Sequence, residues 1–476
     1  MNFTHALKWS FLSELASKAI QPIVFVVLAR FLTPEDYGVM SSALMVISFS
    51  QIFWEAGMSK ALIQRQGDVG EAANVAFWIN IVMGCVIATV LYLVAGPVAR
   101  TFFHDERVTA VLHVMTIQIF LGAVSAVHTA LLLKEMEFKK LFWVRLVTIS
   151  LPGLASIPLA YNGMGYWALV AGSLVGQMAQ VIMLWRMSTW RPKLDFDKLL
   201  AKELVRFGVW VGVSGLMAWG YGWADSLIVG MYLGSHDLGL YRTGSQFAIM
   251  IYGSIFSPIM PVLYSHLSRM NADKIRLGIA IQKVIKVITL VAVPIAVIIF
   301  SLSEPISAVV FGEKWRGIGF VIGVLSLTHG FSWIVSMNGE VYRAMGKPRY
   351  ETIVTFVPLT IYLGAYLLSI RQGFEVFVWT RLGLMFGGLF FQLFVLRKAM
   401  SISIMPIITY IFTITILVAV IATAVKFFSN IYLEGAWWQM MVGGVFNVLI
   451  VGAAVFLVER NGVVKDLIGL IRARAV

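Results

Sequence analysis

Runs of about 20 apolar residues recur from one end of this 476-residue chain to the other. Each run is long enough to cross the roughly 30 Å hydrocarbon core of a bilayer as a helix. The intervals between the runs are too short to hold a sizeable soluble domain, and only 13% of the residues are charged, against about 25% in a typical soluble domain. The sequence therefore predicts an all-α integral membrane protein with about fourteen transmembrane helices.

Apolar length, flanking charge and Gly or Pro breakers set the expected helix bounds. The fourteen helices are expected at residues 10–31, 39–60, 74–98, 108–133, 141–161, 164–187, 205–233, 238–264, 277–303, 317–342, 350–370, 374–396, 404–428 and 438–458. We expect six-helix lobes at 1–187 and 205–400, with helices 13 and 14 and a cytoplasmic tail at 401–476. The cytoplasmic linker at 188–204 contains an amphipathic helix, which we expect to lie on the inner leaflet.

The segment Leu28–Gly38 separates the first two apolar runs and is repeated later in the chain. Pro34 disfavours helical geometry at Thr33, so one helix is predicted to end there, and Gly38 is expected to permit a tight turn into the next. An offset of 201 residues pairs six identical residues: Trp9 with Trp210, Ser13 with Ser214, Leu15 with Leu216, Leu32 with Leu233, Asp36 with Asp237, and Gly38 with Gly239. This repeat predicts two duplicated membrane halves, a plan common among transporters.

The basic residues are distributed unevenly between the two sides of the predicted bundle. Of the 37 Lys and Arg residues, 24 fall in the loops of one side and seven in those of the other, and the remaining six lie within helices. The positive-inside rule then places both termini in the cytoplasm. The net charge of +13 does not indicate nucleic-acid binding, because no basic face carries interleaved aromatic residues.

Charged side chains within spanning helices are costly and usually face a polar interior. Glu14 and Lys18 lie four residues apart on helix 1 and are therefore expected to pair. Polar stripes on helices 2, 7 and 10 include Glu55, Asp225 and Glu340. We expect at least one of these four acids to exchange a proton or bind sodium. The alternative is that each polar group is satisfied by a neighbour within the bundle.

Basic residues within helices are expected to have two different roles. Arg381 marks one polar face of helix 12, whereas Arg145, Lys283 and Lys286 lie near the cytoplasmic boundary and are expected to snorkel outward.

Signatures of catalysis are missing: no phosphate-binding loop, no metal-ligand cluster and no outer loop large enough for an enzymatic site occur. We therefore expect no catalytic residue, no bound metal or cofactor, and a function other than that of an enzyme.

Five segments together resemble the oligosaccharide flippases of bacterial cell surfaces, within the multidrug/oligosaccharidyl-lipid/polysaccharide exporter superfamily. These segments are Leu28–Gly38, Gly57–Arg65, Lys134–Phe138, Arg191–Phe196 and Val310–Trp315. They look most similar to the branch that includes colanic-acid and teichuronic-acid exporters. The resemblance implies two six-helix lobes around a central cavity, two additional helices, and a place in the bacterial inner membrane. It also implies that an undecaprenyl-diphosphate-linked oligosaccharide is carried from the inner to the outer leaflet by alternating access. The sequence leaves open whether protons, sodium or the membrane potential drive this transport.

A diphosphate cargo suits a cationic cavity, so Lys18 and Arg381 are the expected substrate-binding residues. Expected partners are the lipid-linked oligosaccharide, membrane lipids and a polysaccharide polymerase or export machinery, without nucleic acid. One alternative is a drug or small-cation exporter of the same superfamily, which should line its cavity with acids and aromatic residues. A second alternative is a membrane polysaccharide polymerase or ligase, which should have a large outer loop.

Overall fold

The computed structural model of the protein describes residues 3–55, 57–260, 274–400 and 402–459. The predicted cytoplasmic tail lies outside the described residues. The same holds for five of the basic residues used to predict orientation, namely Arg269, Arg460, Lys465, Arg472 and Arg474.

The described part of the chain is helical, as the sequence predicts. The helices are α1 Phe3–Phe31, α2 Pro34–Glu55, α3 Met58–Gln64, α4 Val69–Val98, α5 Glu106–Lys134, α6 Phe138–Tyr161, α7 Tyr166–Met187, α8 Lys198–Phe256, α9 Lys274–Ser301, α10 Ser303–Ile306, α11 Ile318–Trp333, α12 Asn338–Ala344, α13 Pro348–Ser369, α14 Phe374–Met400, α15 Met405–Tyr432 and α16 Ala436–Glu459. The long helix α8 is kinked at Gly234, where φ is 82° and ψ is −172°. These backbone angles are open to glycine and strained for other residues.

Twelve helices of the described chain are long and apolar enough to cross a membrane. The two segments of α8 on either side of Gly234 correspond in position to the seventh and eighth predicted helices and are not among these twelve. Several predicted bounds are wrong. The first helix begins at Phe3 rather than at residue 10, and the third begins at Val69 rather than at residue 74. The second helix begins at Pro34 rather than at residue 39, and the tenth is interrupted between Trp333 and Asn338.

The predicted break before the second helix is confirmed, but the expected role of Gly38 is wrong. Helix α1 ends at Phe31, and Pro34 occupies the first turn of α2, where its missing N–H costs no hydrogen bond. Gly38 lies within α2, and a Cβ atom there would collide with the main-chain carbonyl of Ser235. In the repeated segment, a Cβ atom at Gly239 would collide with the carbonyl of Pro34. The two copies of the repeat therefore pack directly against each other through their glycines.

The chain forms two compact units, Met1–Arg242 and Thr243–Val476. In the first unit, α2, α4 and α5 bury a common apolar core that includes Met45, Trp54 and Leu112. In the second unit, α15 packs against α9 and buries one apolar stripe. The stripe consists of Ile407, Ile411, Ile414, Val418, Ala422 and Val425.

The helix predicted in the linker after α7 is present but is not a short element of its own. The helix that begins at Lys198 is the first part of α8, which extends to Phe256. Asp197 accepts hydrogen bonds from the backbone N–H groups of Leu199 and Leu200 and thereby caps the new helix. Leu200 and Leu204 are buried among apolar residues of α3, α4 and α5. One apolar face of this part of α8 thus packs against other helices of the first unit.

Two of the segments that carry the family resemblance secure helix ends. The Lys134 ammonium donates to the main-chain carbonyls of Leu62, Ile63 and Arg65 at the C-terminal end of α3. These carbonyls have no partner within their helix, and a positive charge complements the negative end of the helix dipole.

Arg191 has the same role at the end of α7. Its guanidinium donates to the carbonyls of Trp185, Ser188 and Trp190 at 2.7–2.8 Å and lies over the Trp185 ring. The neighbouring Lys193 backbone is held by hydrogen bonds from Trp78 and to Asn74. The main chain of the linker is therefore fixed to α4 by hydrogen bonds.

Candidate functional site

Glu14 lies between two basic side chains within the first unit. Its Oε1 atom is 3.4 Å from Lys18 Nζ, one helical turn further along α1. Its Oε2 atom accepts a hydrogen bond of 3.1 Å from Arg145 Nη2 on α6. The predicted pairing of Glu14 with Lys18 is confirmed. The group consists of two cations and one anion, so it has an excess of one positive charge when all three residues are ionised.

Arg145 forms an ion pair with a residue of another helix, and its expected snorkelling outward stays a prediction. Its guanidinium turns towards α1 and binds Glu14, because an ion pair inside an apolar span compensates part of the desolvation cost of both partners. The sequence shows only that Arg145 lies near one end of its own helix. The carboxylate that Arg145 binds belongs to a different helix, so the sequence of either helix alone does not predict the pairing between α1 and α6.

Asp225 lies in α8 and is only 5% exposed. Its Oδ1 atom accepts hydrogen bonds from the backbone N–H and the hydroxyl of Ser226, and its Oδ2 atom accepts one of 2.8 Å from the Tyr241 hydroxyl. Tyr241 comes from the part of α8 beyond the kink at Gly234. Asp225 therefore connects the two segments of the kinked helix within the first unit.

The other two predicted ion-coupling acids have simpler surroundings. Glu55, at the end of α2, accepts a 3.0 Å hydrogen bond from the side-chain amide of Gln51. Glu340, on α12, pairs with Arg343, whose guanidinium also lies 3.6 Å from Glu351. Arg343 is thus shared between two carboxylates in the second unit.

Arg381, the second predicted substrate-binding residue, lies on α14 within the second unit. Its Nη1 atom donates a 3.0 Å hydrogen bond to the hydroxyl of Tyr366 on α13. The Tyr366 ring packs at 5.1 Å from that of Phe377, so the hydroxyl is held in place. The structure brings Glu14, Lys18 and Arg145 together in the first unit and places Arg381 with Tyr366 in the second.

A polar cluster that the sequence analysis missed lies at the kink of α8. Asp105 accepts hydrogen bonds from the backbone and guanidinium of Arg107 and one of 2.6 Å from the Ser235 hydroxyl. Burial alone would raise the pKa of Asp105, but these hydrogen bonds outweigh it and hold the pKa below its usual value. Asp36 accepts a further 2.8 Å hydrogen bond from the Tyr166 N–H. The visible signal was Asp105 directly before α5, the position of a helix N-cap.

The chain matches the model of a protein family described as "Polysaccharide biosynthesis protein" over residues 27–319. It is 27% identical over 376 residues to the succinoglycan biosynthesis transport protein ExoT of Rhizobium meliloti (strain 1021), covering 79% of this chain and 71% of that protein. It is 23% identical over 344 residues to the teichuronic acid biosynthesis protein TuaB of Bacillus subtilis (strain 168), covering 71% of each chain.

Two solved structures share the fold. A lipid II flippase MurJ in an inward closed conformation aligns with a TM-score of 0.76 at 13% identity, covering 96% of this chain and 99% of that one. An inward-facing multidrug resistance MATE family transporter of the MOP superfamily aligns with a TM-score of 0.63 at 14% identity, covering 81% of this chain and 94% of that one. At such identities, the likeness establishes the fold alone.

Proposed function

Because the chain belongs to the polysaccharide biosynthesis protein family, we propose that it is a flippase that moves a lipid-linked oligosaccharide across the bacterial inner membrane. The cargo is an undecaprenyl-diphosphate-linked repeat unit, carried from the cytoplasmic to the outer leaflet for surface polysaccharide synthesis. Both termini then lie in the cytoplasm. The roles of the relatives in succinoglycan and teichuronic acid biosynthesis support this proposal.

Two basic side chains within apolar spans are the structural observation on which the proposal depends. Lys18 lies in an apolar span with its side chain only 18% exposed. Arg381 lies in another apolar span of the second unit. A diphosphate cannot cross hydrocarbon unaided, because transferring an isolated charge costs many kcal/mol. Fixed cations inside the spans lower that cost for an anionic headgroup, whereas they would repel the cargo of a drug or small-cation exporter.

In this proposal Glu14 neutralises Lys18 while cargo is absent. The 3.4 Å separation of Glu14 Oε1 and Lys18 Nζ places the ammonium where an arriving phosphate can compete for it. The prenyl chain of the cargo needs no such site, since it is compatible with the lipid itself. The protein binds and releases its cargo without forming or breaking covalent bonds, so it needs neither catalytic residues nor a cofactor.

An ion gradient is the proposed energy source, with at least one of Glu14, Glu55, Asp225 and Glu340 exchanging a proton or binding sodium. Asp225 has the strongest structural support, because it is buried and connects the two segments of α8 through Tyr241. A change in its protonation or ion binding would act directly on the kinked helix. The test replaces each acid by its amide and follows export while the proton and sodium gradients are collapsed separately. Unchanged export and gradient response in all four variants would leave these acids as structural contacts.

Replacing the two basic residues tests the proposed cargo. We expect Lys18→Ala and Arg381→Ala each to reduce surface polysaccharide and to cause lipid-linked precursor to accumulate at the inner leaflet. The matched controls Lys60→Ala and Lys398→Ala remove charges from the short helix α3 and from the last turn of α14, and they should have little effect. Normal precursor levels in a well-expressed double variant would refute the binding site. Loss of resistance to cationic drugs with normal precursor levels would favour the exporter alternative.

A further inference from the structure

The position of Arg145 relative to Lys18 suggests more than a structural ion pair. The two cations bind opposite oxygens of the same carboxylate, at 3.4 Å and 3.1 Å. A phosphate group presents oxygens at a spacing similar to that of a carboxylate, and a guanidinium binds either group through two parallel hydrogen bonds. Glu14 therefore occupies the place that an anionic group from a ligand would take between Lys18 and Arg145.

The two helices that carry these residues are fixed against each other on both sides of the cluster. Towards the start of α1, the Trp9 ring packs at 5.1 Å from that of Phe142 on α6. Further along, Gly153 of α6 has no side chain and closely contacts Val24 of α1. The separation between α1 and α6 is thus set by packing rather than by the ion pairs, and a site between them is preorganised for its ligand.

The charges of the cluster indicate the chemistry of that ligand. The three side chains carry one more positive than negative charge when all are ionised, and those of Arg145 and Glu14 are 48% and 36% exposed, so an anion can reach them. A ligand with two negative charges would compensate both cations and allow Glu14 to turn away. We infer that Arg145 binds the diphosphate headgroup of the lipid-linked cargo together with Lys18, and that Glu14 takes the place of this headgroup in the unloaded protein. This inference rests on the proposed function, since the cargo named there supplies the diphosphate.

Binding of defined probes to the purified, detergent-solubilised protein tests the inference. The probes are farnesyl diphosphate, which has the headgroup chemistry on a short prenyl chain, and inorganic pyrophosphate, which has no lipid. Tryptophan fluorescence reports binding. We expect Arg145→Ala to weaken farnesyl diphosphate binding about tenfold to hundredfold, the usual effect of removing a charge-assisted hydrogen bond. Arg145→Lys should retain part of the affinity, and Lys140→Ala, on the same helix, should retain all of it.

A second background separates binding of the headgroup from mere support of Glu14. If Arg145 acts only by holding Glu14, then Arg145→Ala will have no effect once Glu14→Gln has removed the carboxylate charge. If Arg145 contacts the headgroup, its replacement will weaken binding just as strongly in the Glu14→Gln background, and Glu14→Gln alone will tighten binding. Equal binding by Glu14→Gln and Glu14→Gln/Arg145→Ala would overturn the inference.

The remaining outcomes distinguish this inference from the proposed function. Normal binding by Arg145→Ala together with weakened binding by Lys18→Ala would overturn the role of Arg145 and leave the flippase proposal intact. Failure of the unaltered protein to bind farnesyl diphosphate would overturn the inference and count against the proposed cargo as well. Equal affinity for farnesyl diphosphate and inorganic pyrophosphate would show a free-anion site and overturn the assignment to a lipid headgroup. A thermal unfolding curve for each variant excludes loss of folding as the cause.

Discussion

Replacing Gly38 by Ala tests whether the two copies of the repeat are packed against each other. The added Cβ atom would collide with the main-chain carbonyl of Ser235, and the same change at Gly239 would collide with the carbonyl of Pro34. Adding a methyl group to a well-packed interior costs about 1–3 kcal/mol. A main-chain atom cannot rotate away as a side chain can, so relief requires a shift of the whole helix. We therefore expect a loss of about 3 kcal/mol in the free energy of unfolding for either variant.

Gly212→Ala is the matched control, because a Cβ atom at this α8 position meets no atom of the described chain within 4 Å. Alanine is the better helix former by about 0.8–1 kcal/mol, so this variant should be as stable as the parent protein or more so. The assay follows tryptophan fluorescence of the purified protein during thermal unfolding in detergent.

The two clashes involve one crossing of helices, so the double variant should lose less stability than the two single losses added together. Apparent Tm values that coincide for Gly38→Ala and Gly212→Ala would refute the packing argument.

Three further predictions concern polar contacts. Asp105→Asn should lower stability at neutral pH and reduce the loss of stability that the parent protein shows in acid, as measured by unfolding curves between pH 7 and pH 3. A carboxyl group with a lowered folded-state pKa contributes stability above its unfolded-state pKa, and this contribution is lost as the pH falls through the folded-state pKa. Arg191→Lys should cost about 1–3 kcal/mol in thermal unfolding, because an ammonium lacks the planar geometry that reaches all three carbonyls. Glu203→Ala should change stability by less than about 1 kcal/mol in the same assay, since its pairing with Arg65 is exposed; a larger loss would show that the linker depends on this ion pair.

The helical architecture could be predicted from the sequence because the bilayer imposes length and apolarity on every span. The break at Pro34 could be predicted because it depends only on covalent geometry. The proline ring restricts the backbone of the residue before it, whatever surrounds the two residues. The role of Gly38 could not be predicted in this way. A glycine within an apolar run is compatible with a turn or with close packing, and the choice depends on Ser235, nearly 200 residues away.

The candidate site was predictable only where its partners share one helix. Glu14 and Lys18 follow from a spacing of four residues, whereas Arg145 and Tyr366 reach their partners from neighbouring helices. The segments that revealed the family resemblance include Lys134 and Arg191, whose side chains bind main-chain carbonyls at helix ends. Such residues preserve the fold whatever is transported, which explains why they indicate a family and contain no information on the sugar unit.

Transport in reconstituted vesicles tests the central claim most directly. Proteoliposomes containing the unaltered protein and an undecaprenyl-diphosphate-linked oligosaccharide in both leaflets are treated with an external enzyme that removes the terminal sugar. The claim predicts that all of the lipid-linked sugar becomes accessible over time, whereas protein-free vesicles and vesicles with Lys18→Ala/Arg381→Ala keep about half of it protected. If the unaltered protein leaves the inner-leaflet half protected under imposed proton and sodium gradients of either direction, the claim is contradicted.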